Sequence, residues 1–275
     1  MIRIFKNLQI VPQSLIPAFS ELFPERVGKR NIPVPRAATS THNRRIELIN
    51  LGRYIDSNRY NSRYKQKDVK LGLINIYNGK CAFCEQKIEY YHIEHYRPKS
   101  IYYWLAYSWD NLLMSCPLCN SSKGNNFEIE GDEIRFELND HNLKLINHFS
   151  ERYNVVERPL LINPEQIDPE KFLVFSKDGR ISSRDPRFIY TIELCRLNRD
   201  ILVDLRRGLL DRFRENIRDA ILSNRDSKSN QMTAIKTNVR NFKSDSEDLK
   251  NEFLAFRKLA ISEQWLSKII KEVAT

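Results

Sequence analysis

The chain has 275 residues, 41% of them hydrophobic and 29% charged, which is enough apolar material for one large or two modest packed domains and excludes wholesale disorder. Forty-five Lys and Arg stand against 35 Asp and Glu, a formal charge of +10 that favours polyanionic partners, nucleic acid above all, over acidic or neutral ones. No apolar run approaches the ~20 residues of a membrane span, and the mixed start from Met1 to Lys6 has neither a signal-peptide core nor a lipidation pattern, so a cytoplasmic protein with no membrane partner is expected.

In chain order, Ile2 and Ile4 suggest a short strand, and Leu15, Phe19 and Phe23 a helical piece. Residues 24–41 carry Pro24, Gly28, Pro33 and Pro35 among basic residues and read as a loop or arm. Helices are predicted over 44–56, from Ile46, Ile49 and Leu51, and through Val69, Leu71, Leu73, Ile74 and Ile76 to a C-cap at Asn78-Gly79. Residues 80–127 differ in kind, with cysteines, histidines, aromatics and turn residues but little periodicity. Residues Phe172 to Phe175 and Ile181 around Asp178-Gly179 read as a hairpin.

From 187 to 223 an apolar stripe recurs every four residues at Ile201, Leu205, Leu209, Phe213, Ile217 and Ile221, so one long helix is expected. Ser223 to Asn230 reads as a polar loop, and Ser244 with Glu247 as a capping box for a last helix carrying Leu249, Phe253, Phe256 and Ala260. The arginines of 196–225 alternate with Asp200, Asp204, Asp211, Glu215 and Asp219, which favours a solvated, ion-paired surface over a nucleic-acid face. The expected architecture is mainly α with a small metal-centred insert: an N-terminal helical region at 1–77, the insert at 78–127, and a hairpin plus helices at 128–275.

Four of the five cysteines form two Cys-x2-Cys pairs, Cys81 with Cys84 and Cys116 with Cys119. Two such turns supply the four soft ligands of a tetrahedral zinc site, and a closed four-cysteine set leaves no open position, so the zinc would be structural. A redox pair of the thioredoxin type needs one Cys-x2-Cys in a βαβ context, which is absent here. Cys195, flanked by Leu194 and Leu197, reads as a buried free thiol. Between the pairs lies the run from His92 through Glu94, His95 and Arg97 to Lys99. On a strand over 91–95, His92 and Glu94 share one face and His95 takes the other. A carboxylate suits Mg²⁺ or Mn²⁺ and a neutral imidazole can take a proton from water; Asn120 is tied to the zinc through Cys119, and Lys123 follows one helical turn later.

Together, Cys81-x2-Cys84, Glu94-His95, Trp109-x-Asn111-Leu112-Leu113 and Cys116-x2-Cys119-Asn120-x2-Lys123-Gly124 resemble the HNH nuclease motif in its zinc-stapled, treble-clef-like ββα-metal form. The sequences around Cys81 to Glu85 and Glu94 to Ser100 are similar to the PtuB family, the HNH partner of Septu-type and retron-associated anti-phage systems. The likeness continues through Leu161-Ile162-Asn163-Pro164, Asp168-Pro169, Asp178-Gly179 and Leu197-Asn198, so that it covers roughly 70–210. It implies His95 as general base, Glu94 and Asn120 as ligands of a catalytic Mg²⁺ or Mn²⁺, Asn111 as the amide bracing the loop between two strands, and Lys123 facing the phosphate. Arg97 and Lys99 are added as nucleic-acid contacts, with ordinary surface charge as the plainer reading.

The resemblance further implies a nuclease effector in anti-phage defence that works with an ABC/AAA-type, PtuA-like ATPase. DNA is favoured over RNA, including tRNA, as substrate. The helical stretches at 187–223 and 245–272 are candidate docking surfaces for the partner. The alternatives are a zinc-stapled nucleic-acid-binding module without catalysis and an HNH enzyme that reads its own target, although no helix-turn-helix signature or tandem fingers are present. His92 is expected at the surface; His42, His141 and His148 have no partner pattern. Tyr102, Tyr103, Trp104, Tyr107 and Trp109 are expected to pack the insert against the helical body.

Overall fold

The computed structural model describes residues 1–17 and 36–274. The sequence expectations for Phe19, Phe23 and most of the 24–41 arm lie outside these residues. The first helix, α1 (Arg36–Leu51), begins before the apolar period that suggested residue 44 and stops at Leu51, where Gly52 takes φ +66°. A separate helix, α2 (Asn58–Tyr64), follows, then α3 (Lys67–Tyr77). At the end of α3, Asn78 and Gly79 are both left-handed and the Gly79 amide donates to the Ile74 carbonyl at 3.0 Å, which satisfies a carbonyl the helix leaves open. Ile2 and Ile4 are buried in an extended segment that is not a strand: Ile4 donates to Pro164 at 2.9 Å without building a ladder.

The central segment holds β1 (His92–His95), β2 (Leu112–Ser115) and α4 (Pro117–Lys123). Two short helices, α5 (Asp140–Lys144) and α6 (Phe149–Glu157), come next. The predicted hairpin is present as β3 (Val174–Phe175) and β4 (Ile181–Ser182). Its turn residue Gly179 has φ +92°, and a Cβ there would stand 2.2 Å from the carbonyl oxygen of Val203, so the turn demands glycine on two counts.

The predicted 187–223 helix is two helices, α7 (Pro186–Leu194) and α8 (Asp200–Leu222). Between them Arg196 turns left-handed and the Leu197 amide closes α7 onto the Ile192 carbonyl at 2.8 Å. A strict four-residue spacing drifts around a helix of 3.6 residues per turn, which leaves Ile201 exposed. The buried line of α8 runs instead through Leu202, Arg206, Leu209, Phe213, Ile217 and Ala220, in steps of three and four. On its outer side Arg207 pairs with Asp204 at 2.8 Å and Arg214 with Asp211 at 3.5 Å, the ion-paired surface that the alternating charges predicted.

The sequence reading failed over 228–253. Ser227 caps a further helix, α9 (Lys228–Glu247), and Ser244 and Glu247 close it rather than opening the next one. Among its side chains only Phe242 and Ser246 are buried, so it had too little apolar periodicity to reveal itself. The end of the chain is two helices, α10 (Leu254–Ser262) and α11 (Trp265–Ala274).

One buried cluster takes Leu48 and Leu73 from the N-terminal helices, Phe83, Tyr96 and Leu113 from the central segment, and Phe213, Phe256 and Trp265 from the C-terminal helices. A smaller cluster packs Tyr102, Trp104 and Leu105, in the loop between β1 and β2, against Phe149 and Tyr153 of α6. The aromatic run therefore serves packing, as its composition suggested. Cys195 is fully buried, and burial pushes its thiol above the ordinary range. Among the described residues no helix is long and apolar enough to cross a membrane.

Candidate active site

β1 and β2 pair antiparallel, with His92 opposite Ser115, Glu94 opposite Leu113 and His95 opposite Leu112. α4 follows β2 at once, with Pro117 preset for its first turn and the Cys116 sulfur capping it by accepting from the Cys119 amide at 3.4 Å. This ββα unit carries both a cysteine cluster and a polar cleft.

The sulfurs of Cys81, Cys84, Cys116 and Cys119 all lie within 4.8 Å of one another, are buried, and form no disulfide. A tetrahedron with Zn–S bonds of ~2.3 Å has edges of ~3.8 Å, and Cys84 and Cys116 stand 3.9 Å apart. The cluster could hold zinc. Hydrogen bonding from Cys119, Cys81 and Cys84 holds the Cys116 thiol well below its ordinary range, while the same contacts push the Cys119 thiol up. Arg199 aims its guanidinium at Cys119 Sγ (3.5 Å) and Cys116 Sγ (3.7 Å) from just ahead of α8. Nothing in the sequence pattern marked it, because the contact spans 80 residues.

On the other side of the unit a cleft of about 690 Å³ has Glu94, His95 and Asn120 in its lining. Alternation predicted Glu94 and His95 on opposite faces of β1. Both nevertheless line the cleft. His92 is exposed at the cleft.

The His95 Nε2 lies 3.0 Å from the Ala106 carbonyl oxygen. A carbonyl only accepts, so Nε2 carries the proton and Nδ1 keeps its lone pair. Burial, reinforced by Lys99, Lys123 and Lys65, lowers the imidazole to about 3, although the Ala106 carbonyl works in the other direction. His95 is therefore neutral at ordinary pH. The edge of Tyr64 from α2 packs on the ring, with centroids 4.6 Å apart at 86°.

The Glu94 carboxylate accepts from the Asn120 side-chain amide on one oxygen and from Lys123 Nζ at 3.1 Å on the other. Lys123 also donates to the His95 carbonyl at 2.9 Å. The side chain of Lys123 is completely buried and holds Glu94 and the backbone of His95 together. It does not face a phosphate, contrary to the sequence expectation.

Arg97 requires a second correction. Its guanidinium is wholly buried, pairs with Glu157 at 2.8 Å, and donates to the Ser150 carbonyl and hydroxyl and to Asn154. With its donors taken and no exposure, it is a structural cation behind the hairpin, not a nucleic-acid contact. Lys99 stays at the cleft, donating to Asn61 at 3.0 Å with its ammonium 4.2 Å from the Tyr54 ring centre. Asn111 is fully buried. It accepts from the Arg97 amide at 2.8 Å and donates to the carbonyls of Arg97 (3.1 Å) and Leu105 (3.2 Å), joining both ends of the loop between β1 and β2. The cleft also takes Tyr64, Lys65 and Lys70 from the junction of α2 and α3, a contribution no motif in that stretch announced.

Residues 81–126 match the family of HNH endonucleases. The chain is 37% identical over 139 residues to the Septu protein PtuB of Bacillus mycoides, covering 44% of this chain and 43% of that one. It is 40% identical over 68 residues to the Septu protein PtuB of Bacillus thuringiensis, covering 23% and 26%. It is also 28% identical over 152 residues to the Septu protein PtuA of Bacillus mycoides, covering 50% of this chain and 20% of that one. The chain thus spans less than half the length of the curated relatives it matches. It carries an HNH endonuclease domain and is similar to the Septu protein PtuB.

Proposed function

We propose that the chain is a metal-dependent endonuclease that hydrolyses nucleic-acid phosphodiester bonds, DNA in preference to RNA, and serves in anti-phage defence. The observation that carries this reading is the polarised His95: its Nε2–H is pinned to Ala106, which leaves an unprotonated Nδ1 at a cleft shared with Glu94 and Asn120. A nucleic-acid-binding module without catalysis gives no reason to bury a neutral imidazole beside a carboxylate and then open both onto a cleft.

Hydrolysis needs a water, a base to take its proton, and neutralisation of charge on the leaving oxygen. His95 Nδ1 takes the proton, and the Ala106 contact keeps the ring from turning its wrong nitrogen toward the water. Glu94 and Asn120 would hold Mg²⁺ or Mn²⁺. Their side chains stand in hydrogen-bond contact at the cleft, and a carboxylate with an amide oxygen is a hard donor set for an ion that keeps most of its waters. The bound ion supplies the charge neutralisation. Lys123 positions Glu94, Asn111 holds the loop that carries Ala106, and Lys99 offers a cation to the substrate phosphate. The four-cysteine zinc would be structural.

The partner is a PtuA-like ATPase, a reading supported by the shared Septu naming of the relatives. The inner faces of α10 and α11 are already in the core through Phe256, Trp265 and Ile269, so docking falls to their outer faces or to α9. The test is a cleavage assay on plasmid DNA and total tRNA with Mg²⁺ or Mn²⁺, wild type against His95→Ala, alone and with the partner. Metal-dependent cleavage lost in the variant is the expected result. Binding without cleavage by either protein returns the chain to the binding-module reading.

A further inference from the structure

The proposed catalytic groups lie low. Glu94 and His95 are only 4% and 5% exposed, and the approach to them is narrowed by residues off the two strands and helix of the ββα unit. Tyr64, Lys65 and Lys70 enter the cleft from the junction of α2 and α3, while Glu89, Tyr90 and Tyr91 enter ahead of β1. A volume of about 690 Å³ leaves room for a nucleotide or two inside the cleft.

The chemistry of the rim is uneven. Tyr90 is 82% exposed, the most exposed large apolar side chain among the described residues, and it stands at the cleft. Lys65 and Lys70 are exposed and make no ion pair among the described residues. Lys99 lies deeper in the same lining, and Glu89 is the one rim acid. Cations that follow a backbone, beside an aromatic ring with a free face, are what an unpaired strand requires: its phosphates meet the lysines and an unstacked base meets the ring. A paired duplex hides its base faces and has no use for Tyr90.

Resting on the nuclease reading, we infer that the cleft takes its substrate as an unpaired strand, with Tyr90 stacking on a base beside the scissile bond and Lys65 and Lys70 gripping the backbone. Both walls come from outside the strands and helix that carry Glu94, His95 and Asn120. The α2–α3 junction and the segment ahead of β1 therefore select the form of nucleic acid rather than acting in the hydrolysis.

The test uses the zinc-loaded full chain without added divalent ion. Fluorescence anisotropy gives its affinity for a labelled single-stranded 20-mer and for the matching duplex, at two salt concentrations. The single strand is expected to bind at least ~10-fold tighter. Tyr90→Ala should weaken single-strand binding by about 5- to 100-fold, the range for one base–aromatic stack, and leave duplex binding unchanged. Tyr90→Phe should restore it, and Lys65→Glu with Lys70→Glu should weaken binding and flatten its salt dependence. Equal affinity for duplex, an unchanged Tyr90→Ala, or no binding of either form by the wild type overturns the inference. Cleavage by wild type and His95→Ala is followed in parallel. Cleavage that depends on His95 alongside an inert Tyr90 sinks this inference alone. A Tyr90-dependent affinity for single strands with no cleavage under any condition sinks the nuclease reading alone.

Discussion

Behind the β1–β2 hairpin, Arg97 and Glu157 form a fully buried pair whose remaining donors are met by Ser150 and Asn154. In front of it Glu94 is nearly as buried and is held by Lys123 and Asn120, yet it lines an open cleft beside a neutral histidine. The rear network is closed: each charged group meets protein partners and leaves nothing for a ligand. The front network is closed on its inner side only. Residue type does not distinguish them, since each sets a cation against a glutamate. What distinguishes them is whether the last partner is protein or solvent, and that decides which one can do chemistry.

The comparison can be broken at several points. The largest effect is expected on the cysteine cluster of the ββα unit. If zinc fills it, mass spectrometry under native conditions finds one zinc per chain. Stripping it, or Cys119→Ser, removes a site of the class worth about 10–16 kcal/mol, and the near-ultraviolet circular dichroism of the insert aromatics should collapse. On the front network, His95→Ala should lower cleavage by ~10²–10⁴-fold with the melting temperature unchanged, as measured by single-turnover kinetics and calorimetry. A variant that melts early would mean that His95 serves packing.

On the rear network, Glu157→Gln leaves the Arg97 cation buried without its counter-charge, and should destabilise the fold by about 3–5 kcal/mol in urea titration. Cleavage per folded molecule should hold. If activity falls with stability unchanged, the two networks are not separate.

A smaller effect attaches to Asp110, beside the rear network. It accepts from the Ser150 amide at 2.5 Å, while burial raises its carboxyl from 3.8 to about 7. A raised folded pKa means that the folded state holds the proton more tightly. The associated stability is fully present below about pH 4 and is lost as pH rises through about 7. Chemical denaturation across pH 4–8 should show this decline, and Asp110→Asn should flatten it.

Much of the fold was legible where local chemistry is decisive. The Asn78-Gly79 cap, the Asp178-Gly179 turn and the two Cys-x2-Cys turns each depend on a few neighbouring residues, and the structure places all of them as read. Helix α9 was not legible, because a helix with two buried side chains carries no periodic signal; its neighbours supply its stability. The break between α7 and α8 was hidden for a related reason: apolar residues continue across it.

The same division runs through the candidate site. The resemblance pointed to Glu94, His95, Asn111 and Asn120, whose spacing is a local property of one hairpin and one helix, and the structure brings Glu94, His95 and Asn120 to one cleft with Asn111 buried. The sequence could not say that Arg97 and Lys123 turn inward, since their partners Glu157 and Glu94 lie 60 and 29 residues away. Nor could it bring Lys65, Lys70 and Tyr90 to the same cleft, or place Arg199 on the sulfurs of the cysteine cluster. A charged side chain carries the same symbol whether it is buried or exposed. Its role is set by desolvation and by the partners that meet it, and both exist only once distant segments have packed.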